Sequence, residues 1–226
     1  MACCFVTTSA AQKTIDTIAT KVDGYDIPIR IKLPKNTNGK NPVYFFVHGG
    51  GWNGGDSKNV PPARLHNDAN YLADQLEVIY VGLAYRCKGN SATFSDAIED
   101  LEASVQWFFD NADTYNADLT RIGFGGASAG STLAAVMAQR YKNCKLFVGA
   151  EGMYNLVEHS EKRSTFQSQK ARELYGLATE KESKKASAFY NLREEPPITL
   201  LLHGDADVLC HYTQSIKFAE EIKSKG

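Results

Sequence analysis

Three short stretches of the chain carry residue types that could make and break an acyl bond. The first is Gly126-Ala127-Ser128-Ala129-Gly130, set between an apolar run ending at Gly126 and the alanine-rich run Leu133 to Ala138. A serine with glycines two before and two after it can occupy a sharp strand-to-helix turn. Its hydroxyl then stands above a sheet, where larger neighbours would collide. Ser128 is the candidate nucleophile. The second stretch, His48-Gly49-Gly50-Gly51-Trp52, follows the apolar run Val43-Tyr44-Phe45-Phe46-Val47. Three successive glycines cost backbone entropy, so backbone must come close to something there. The chemistry that needs this is an oxyanion hole. Peptide N–H groups of Gly50 and Gly51, with that of Ala129, would face a developing negative oxygen. A phosphate cradle fits less well, because neither Gly-Lys-Ser/Thr nor Gly-Xaa-Gly-Xaa-Xaa-Gly spacing is present. The third stretch, His203-Gly204-Asp205-Ala206-Asp207, closes the run Ile198 to Leu202 and offers two carboxylates to orient a base. His48 and His203 open their loops and are read as bracing them.

The elements that must hold these residues alternate. Ile15 to Val22 and Tyr25 to Leu33 read as antiparallel edge strands joined by Asp23-Gly24, with Pro28 tolerable at an edge. Val43–Val47, Val78–Tyr85, the strand entering Gly126, Lys145–Ala150 and Pro197–Leu202 are continuous apolar runs, as parallel strands buried on both faces should be. Helices are expected from Pro61 to Gln75, after a cap at Thr93 with Asp96 three residues on, after Ser128, and at the end of the chain. The second carries Ile98, Leu101, Val105 and Phe108 at core spacing, which leaves Asp96, Glu99, Asp100 and Glu102 as a solvated face. The last carries Ile216, Ala219 and Ile222. Residues 151–195 break the alternation and read as a small helical cap, with helices around Phe166–Tyr175 and Glu180–Tyr190. Eight Lys/Arg against seven Glu between Glu158 and Glu195 make that cap wet outside, unlike a lid built for lipid droplets.

Length and composition set bounds. The 226 residues suffice for one domain, 15–226, behind a leader, 1–14. The leader reads either as disordered or as the tail of a secretion signal. The first reading places the protein in the cytoplasm and the second makes it secreted or periplasmic. A net charge of -1 gives no electrostatic reason for a nucleic-acid or anionic-membrane partner. Five cysteines, Cys3, Cys4, Cys87, Cys144 and Cys210, are odd in number and lack zinc-site spacing. They are expected to be scattered thiols, with room for one disulfide. Cys210 beside His211 is a poor nucleophilic pair, since sequence neighbours point apart.

The three motifs, in this order, resemble the α/β-hydrolase superfamily, in its esterase branch related to hormone-sensitive lipase and including bacterial acetyl-xylan and feruloyl esterases. The resemblance runs from about Asp26 onward. It implies an α/β fold with a mostly parallel sheet and helices on both faces. It implies Ser128 as nucleophile, Gly50, Gly51 and Ala129 as oxyanion donors, and Asp207 as acid, with Asp205 second. Trp52 and Tyr154 are expected to contact substrate, a small-molecule or carbohydrate-linked ester. No metal or organic cofactor is implied. In that superfamily the order is serine, acid, then a histidine on a loop after one more strand. Here only His211 follows Asp207, four residues on at a helix start. The chain is therefore expected to be cut short of its last strand and catalytic histidine. The uncovered edge at Ile198–Leu202 would then be a site for a homodimer. Two rivals are a peptidase of the prolyl-oligopeptidase type, which the triple glycine disfavours, and a non-catalytic hydrolase-fold protein.

Overall fold

The computed structural model describes residues 13–35, 39–52, 66–87, 89, 91–158, 173 and 175–225. Among them seven strands form one sheet in the order β1-β2-β4-β3-β5-β6-β7. β1 (Thr14–Val22) and β2 (Tyr25–Lys32) form the antiparallel hairpin. Asp23 and Gly24 both take positive φ, 49° and 82°, which matches the strands' own twist. β2 runs antiparallel to β4 (Ile79–Leu83). β4, β3 (Asn41–Val47), β5 (Ala117–Ala127), β6 (Cys144–Ala150) and β7 (Ile198–Leu202) are mutually parallel. β5 begins earlier than its apolar run, because Ala117 and Asp118 pair with Asn41 and Pro42 before the register shifts.

Alternation along the parallel strands sorts their side chains to two faces. Phe45, Phe124 and Phe147 lie side by side in register. Phe45 stacks on Phe124 at 5.2 Å and meets Phe108 edge-on at 5.4 Å. Phe108 belongs to α2 (Phe94–Asp110), which with α3 (Ala129–Arg140) covers this face. The other face carries Tyr44, Phe46, Tyr80, Leu146 and Val148. These line an open apolar groove of about 710 Å³, bordered by Tyr71 and Leu76 at the end of α1 (His66–Gln75). The predicted start of that helix at Pro61 lies outside the described residues. β7 is the edge strand among the described residues, and its Ile198, Leu200 and Leu202 are 78%, 52% and 52% exposed.

α2 shows how local sequence and packing cooperate. Thr93 Oγ1 accepts from the Asp96 N–H and the Asp96 carboxylate accepts from the Thr93 N–H, a reciprocal capping box. Ile98, Leu101, Val105 and Phe108 are buried as their spacing predicts. Asp100 is not on a solvated face. It is 1% exposed, and its carboxylate accepts from the Arg86 backbone N–H (2.8 Å) and from Arg86 Nε (2.9 Å). Arg86 also reaches Asp23 at 2.8 Å, so one buried guanidinium ties β4, α2 and the first hairpin together.

Between β6 and β7 the described segments hold α4 (Glu180–Ala186), capped by Thr179 and Glu182, and a short 3-10 turn, Ala188–Asn191. Most of the helix expected around Phe166–Tyr175 lies outside the described residues. The last helix, α5 (Thr213–Lys223), buries Gln214, Ser215 and Phe218, while Ile216 is 47% exposed. Its buried face is therefore rotated from the Ile216, Ala219, Ile222 stripe. The reason is polar: the Gln214 amide accepts from the N–H groups of Tyr154 and Asn155 and donates to the Asn155 carbonyl. The three described cysteines, Cys87, Cys144 and Cys210, are buried, and none forms a disulfide among the described residues.

Candidate active site

Ser128 stands between β5 and α3 with φ 54° and ψ −125°, a conformation that side chains avoid, and it is exposed. Its N–H donates to Ala150 O (2.8 Å) and its carbonyl accepts from the Thr132 N–H (3.2 Å). The flanking glycines are required by contact. A Cβ on Gly126 would lie 2.5 Å from the Gly130 carbonyl, and one on Gly130 would collide with the carbonyls of Val47 and His48. The end of β3, the elbow and the start of α3 therefore meet with no room for a methyl group.

The glycine loop closes on the same point. A Cβ on Gly49 would come 2.7 Å from Ala127 O and 3.3 Å from Ser128 Cβ, so the loop lies directly against the elbow. Gly50 and Gly51 take φ 134° and 62°, which a side chain would resist. Ala129, in the first turn of α3, is buried. His48 is 3% exposed, its ring stacked on Tyr85 at 4.5 Å. Its Nδ1 lies 2.7 Å from Gly49 O, and since a carbonyl only accepts, that nitrogen carries the proton. Nε2 is then a bare acceptor, buried without a partner among the described residues, and burial lowers the His48 pKa from its ordinary value.

The acid loop reaches the same end of the sheet. Ala127, Ala150 and Leu202 pair laterally, so Ser128, Glu151 and His203 follow in a row. Asp207 Oδ1 accepts from the N–H groups of Leu209 (2.8 Å) and Cys210 (3.0 Å). Its Oδ2 lies 3.3 Å from His203 Nε2. His203 donates from Nε2 to Cys210 O (2.8 Å) and accepts at Nδ1 from Ser215 Oγ (2.7 Å), so both nitrogens serve the loop. Asp205 is exposed. His211 Nδ1 pairs with Thr213 Oγ1 at 2.9 Å, and its ring packs against Tyr212. Among the described residues no histidine is hydrogen-bonded to Ser128.

Two expected substrate contacts are placed elsewhere. Tyr154 is fully buried, its hydroxyl 3.0 Å from Ser131 Oγ and its ring stacked on Phe218 at 4.4 Å. It braces the elbow helix from below, because an aromatic ring on the covered face gains more from the core than from a site mouth. Trp52 is 4% exposed between Phe94 and Tyr175. Sequence reasoning missed Tyr175, whose hydroxyl donates to Gly51 O at 3.1 Å. It also missed Gln214, which the polar character of its position could not announce. The Cys210 thiol donates to Gly152 O (3.1 Å), and burial, with Asp207 and Glu151 nearby, pushes its pKa up to about 12. It is an inert thiol rather than a nucleophile.

With this geometry in hand, comparison with known proteins decides the family. A family model described as BD-FAE matches residues 29–222. The chain belongs to the BD-FAE family. It is 34% identical over 118 residues to arylacetamide deacetylase of Bos taurus, a stretch covering 51% of this chain and 29% of that protein. It is 36% identical over 115 residues to carboxylesterase NlhH of Mycobacterium tuberculosis, covering 50% and 34%. The matched stretch is thus about a third of the length of these curated relatives. Among solved structures, esterase 2 of Thermogutta terrifontis superposes with a TM-score of 0.77 at 22% identity, covering 97% of this chain and 79% of that one. The same esterase phosphonylated by sarin gives 0.80 at 21% identity, covering 99% and 83%. The fold is the α/β-hydrolase fold, as the three motifs imply.

Proposed function

We propose that this chain is a serine carboxylic-ester hydrolase that works through an acyl-enzyme on a soluble ester. We propose further that the ester is of the acetyl or feruloyl class carried by plant polysaccharide. One observation carries the proposal: Ser128 is exposed at φ 54° on the turn from β5 to α3, with the triple-glycine loop packed against its Cβ. Ser128 Oγ attacks the ester carbonyl carbon while a base takes its proton. The carbonyl oxygen becomes an oxyanion and accepts from the N–H groups of Gly50, Gly51 and Ala129. The tetrahedral intermediate expels the alcohol, which leaves with the proton returned by the base. Water then repeats the sequence, releasing the acid and Ser128. Asp207 is assigned as the acid that orients the base, and His203 as the residue that holds the Asp207 loop.

The named relatives support this reading. Two are called a deacetylase and a carboxylesterase, and an esterase of this fold is phosphonylated by sarin. The acetyl or feruloyl class rests on the resemblance of the His48–Trp52 and Gly126–Gly130 motifs to the polysaccharide esterases. A non-catalytic hydrolase-fold protein is favoured by one observation. Both His203 nitrogens and His211 Nδ1 are engaged by other groups.

The test is turnover of 4-nitrophenyl acetate, 4-nitrophenyl butyrate, acetylated xylo-oligosaccharide and a dipeptide anilide, with Ser128→Ala as control. Slow ester hydrolysis that Ser128→Ala abolishes is expected, held about 10⁶-fold below an intact serine–base pair because no described histidine is hydrogen-bonded to Ser128. No serine-dependent hydrolysis of any ester would replace the esterase reading of this chain with the non-catalytic one. Faster cleavage of the anilide would replace it with the peptidase.

A further inference from the structure

Three side-chain donors grip carbonyls of the loop that carries the proposed oxyanion donors, and they come from different parts of the chain. Tyr85, just after β4, donates its hydroxyl to His48 O at 3.0 Å. His48 Nδ1 donates to Gly49 O at 2.7 Å. Tyr175, from the segment between β6 and β7, donates its hydroxyl to Gly51 O at 3.1 Å. In a trans peptide the C=O and the following N–H point to opposite sides of one rigid plane, and the described residues contain no cis peptide. A gripped carbonyl therefore fixes the direction of an N–H. The His48 bond turns the Gly50 N–H away from its ring. The Tyr175 bond sets the Gly51–Trp52 plane and with it the Trp52 N–H, so the loop is held on both sides of the Gly50–Gly51 peptide. Two glycines at φ 134° and 62° have no side chain that could do this for themselves.

Tyr175 is itself held in place, so its hydroxyl does not swing. It is 3% exposed, its carbonyl accepts from the Phe94 N–H at 3.0 Å, and its ring lies 5.7 Å from that of Trp52. We infer that Tyr175 is a positioning residue for the oxyanion loop: its hydroxyl anchors the Gly51–Trp52 peptide, the far end of the stretch that carries the Gly50 and Gly51 N–H groups, while His48 sets the Gly50 N–H through Gly49 O. The loop's geometry then depends on the backbone bond that holds Tyr175 against Phe94 at the start of α2. This inference rests on the esterase reading for its catalytic consequence, and on the hydrogen bond alone for the grip itself.

Tyr175→Phe removes one oxygen and leaves the ring packed. On the full 226-residue chain, amide hydrogen exchange at Gly50, Gly51 and Trp52 should quicken about three- to tenfold, the worth of one neutral hydrogen bond, while β5 amides stay unchanged. In 4-nitrophenyl acetate hydrolysis, kcat should fall by a similar factor with KM held within about twofold, since oxyanion contacts strengthen only in the transition state. Tyr175→Leu should match Tyr175→Phe in kcat while melting lower, because it also loses the ring. Unchanged loop exchange in Tyr175→Phe overturns the grip. Quickened exchange with unchanged kcat overturns the positioning role. Quickened exchange with no serine-dependent turnover even in the wild type upholds the grip and sinks the esterase reading instead.

Discussion

Asp100→Ala should cost the fold about 3–5 kcal/mol, the range for breaking a buried ion pair by removing one partner. The magnitude follows from what the carboxylate does. It accepts from the Arg86 backbone N–H at 2.8 Å and from Arg86 Nε at 2.9 Å, at a position 1% exposed. Its loss orphans a buried backbone donor, worth about 1–3 kcal/mol, and strips one face of a guanidinium whose side chain is 7% exposed. Arg86 keeps Asp23 at 2.8 Å, but that carboxylate is 78% exposed and replaces little of the lost field, so the estimate stays in range without exceeding it. For a chain of this length each kcal/mol moves the midpoint by about 2–4 °C, which gives a fall of about 6–20 °C. Urea titration and thermal melting followed by circular dichroism would measure both. Glu99→Ala on the same helix should stay within about 0.5 kcal/mol. The double variant Arg86→Met, Asp100→Leu should recover the part of the loss that comes from the lone buried charge, but not the part from the orphaned backbone N–H of residue 86. An Asp100→Ala variant within about 1 kcal/mol of wild type would refute the buried pair and restore the solvated-face pattern.

Two further outcomes follow from the same physics. Because burial lowers the His48 pKa, the unfolded chain binds the proton first as pH falls below about 6.5. Stability contributed at neutral pH should then drop on acidification by up to about 1.4 kcal/mol per pH unit until the folded-state pKa is passed, with no effect above about pH 7. Urea midpoints at pH 7.5 and 5.5 should diverge more in the wild type than in His48→Phe; equal divergence would contradict the assignment. The β7 edge, with Leu200 52% exposed in an apolar row, should drive self-association that Leu200→Lys reduces in sedimentation velocity; a wild-type monomer at all concentrations would count against the homodimer.

What was legible in the sequence follows how local each signal is. The Thr93–Asp96 box closes within one helical turn, and it forms as read. The Gly126 and Gly130 spacing encodes a contact between segments four residues apart, so the elbow was readable too. Asp100 failed because its partner, Arg86, lies on another element, and helical periodicity treats every charge as solvated. Tyr154 and Trp52 failed for a related reason. An aromatic beside a motif looks like a substrate contact, yet each ring found a deeper aromatic neighbour, Phe218 in one case and Phe94 in the other. Tyr175 is 124 residues from the carbonyl it holds, beyond any reading of spacing.

The distribution of backbone strain ties the site to the fold. Seven described non-glycine residues have positive φ, each at a cost of order 1–3 kcal/mol. Asp23 and Asn116 turn a hairpin and close a 3-10 helix, where asparagine and aspartate are the residues that tolerate it. Trp52, Ser128 and Glu151 are different. A tryptophan, a serine and a glutamate are poor choices for the left-handed region, as are Glu77 and Ser91 elsewhere, yet these three stand in the loops that follow β3, β5 and β6. Packing there over-determines the backbone. Ser128 is pinned by Ala150 O and by the Gly126–Gly130 contact, Glu151 by its N–H bond to Leu202 O, and Trp52 by the rings of Phe94 and Tyr175. Strain carried by side-chain-bearing residues at one end of a sheet, held by contacts from every neighbouring element, is what a preorganised site requires. The glycines that could have relieved it are spent instead on close approach.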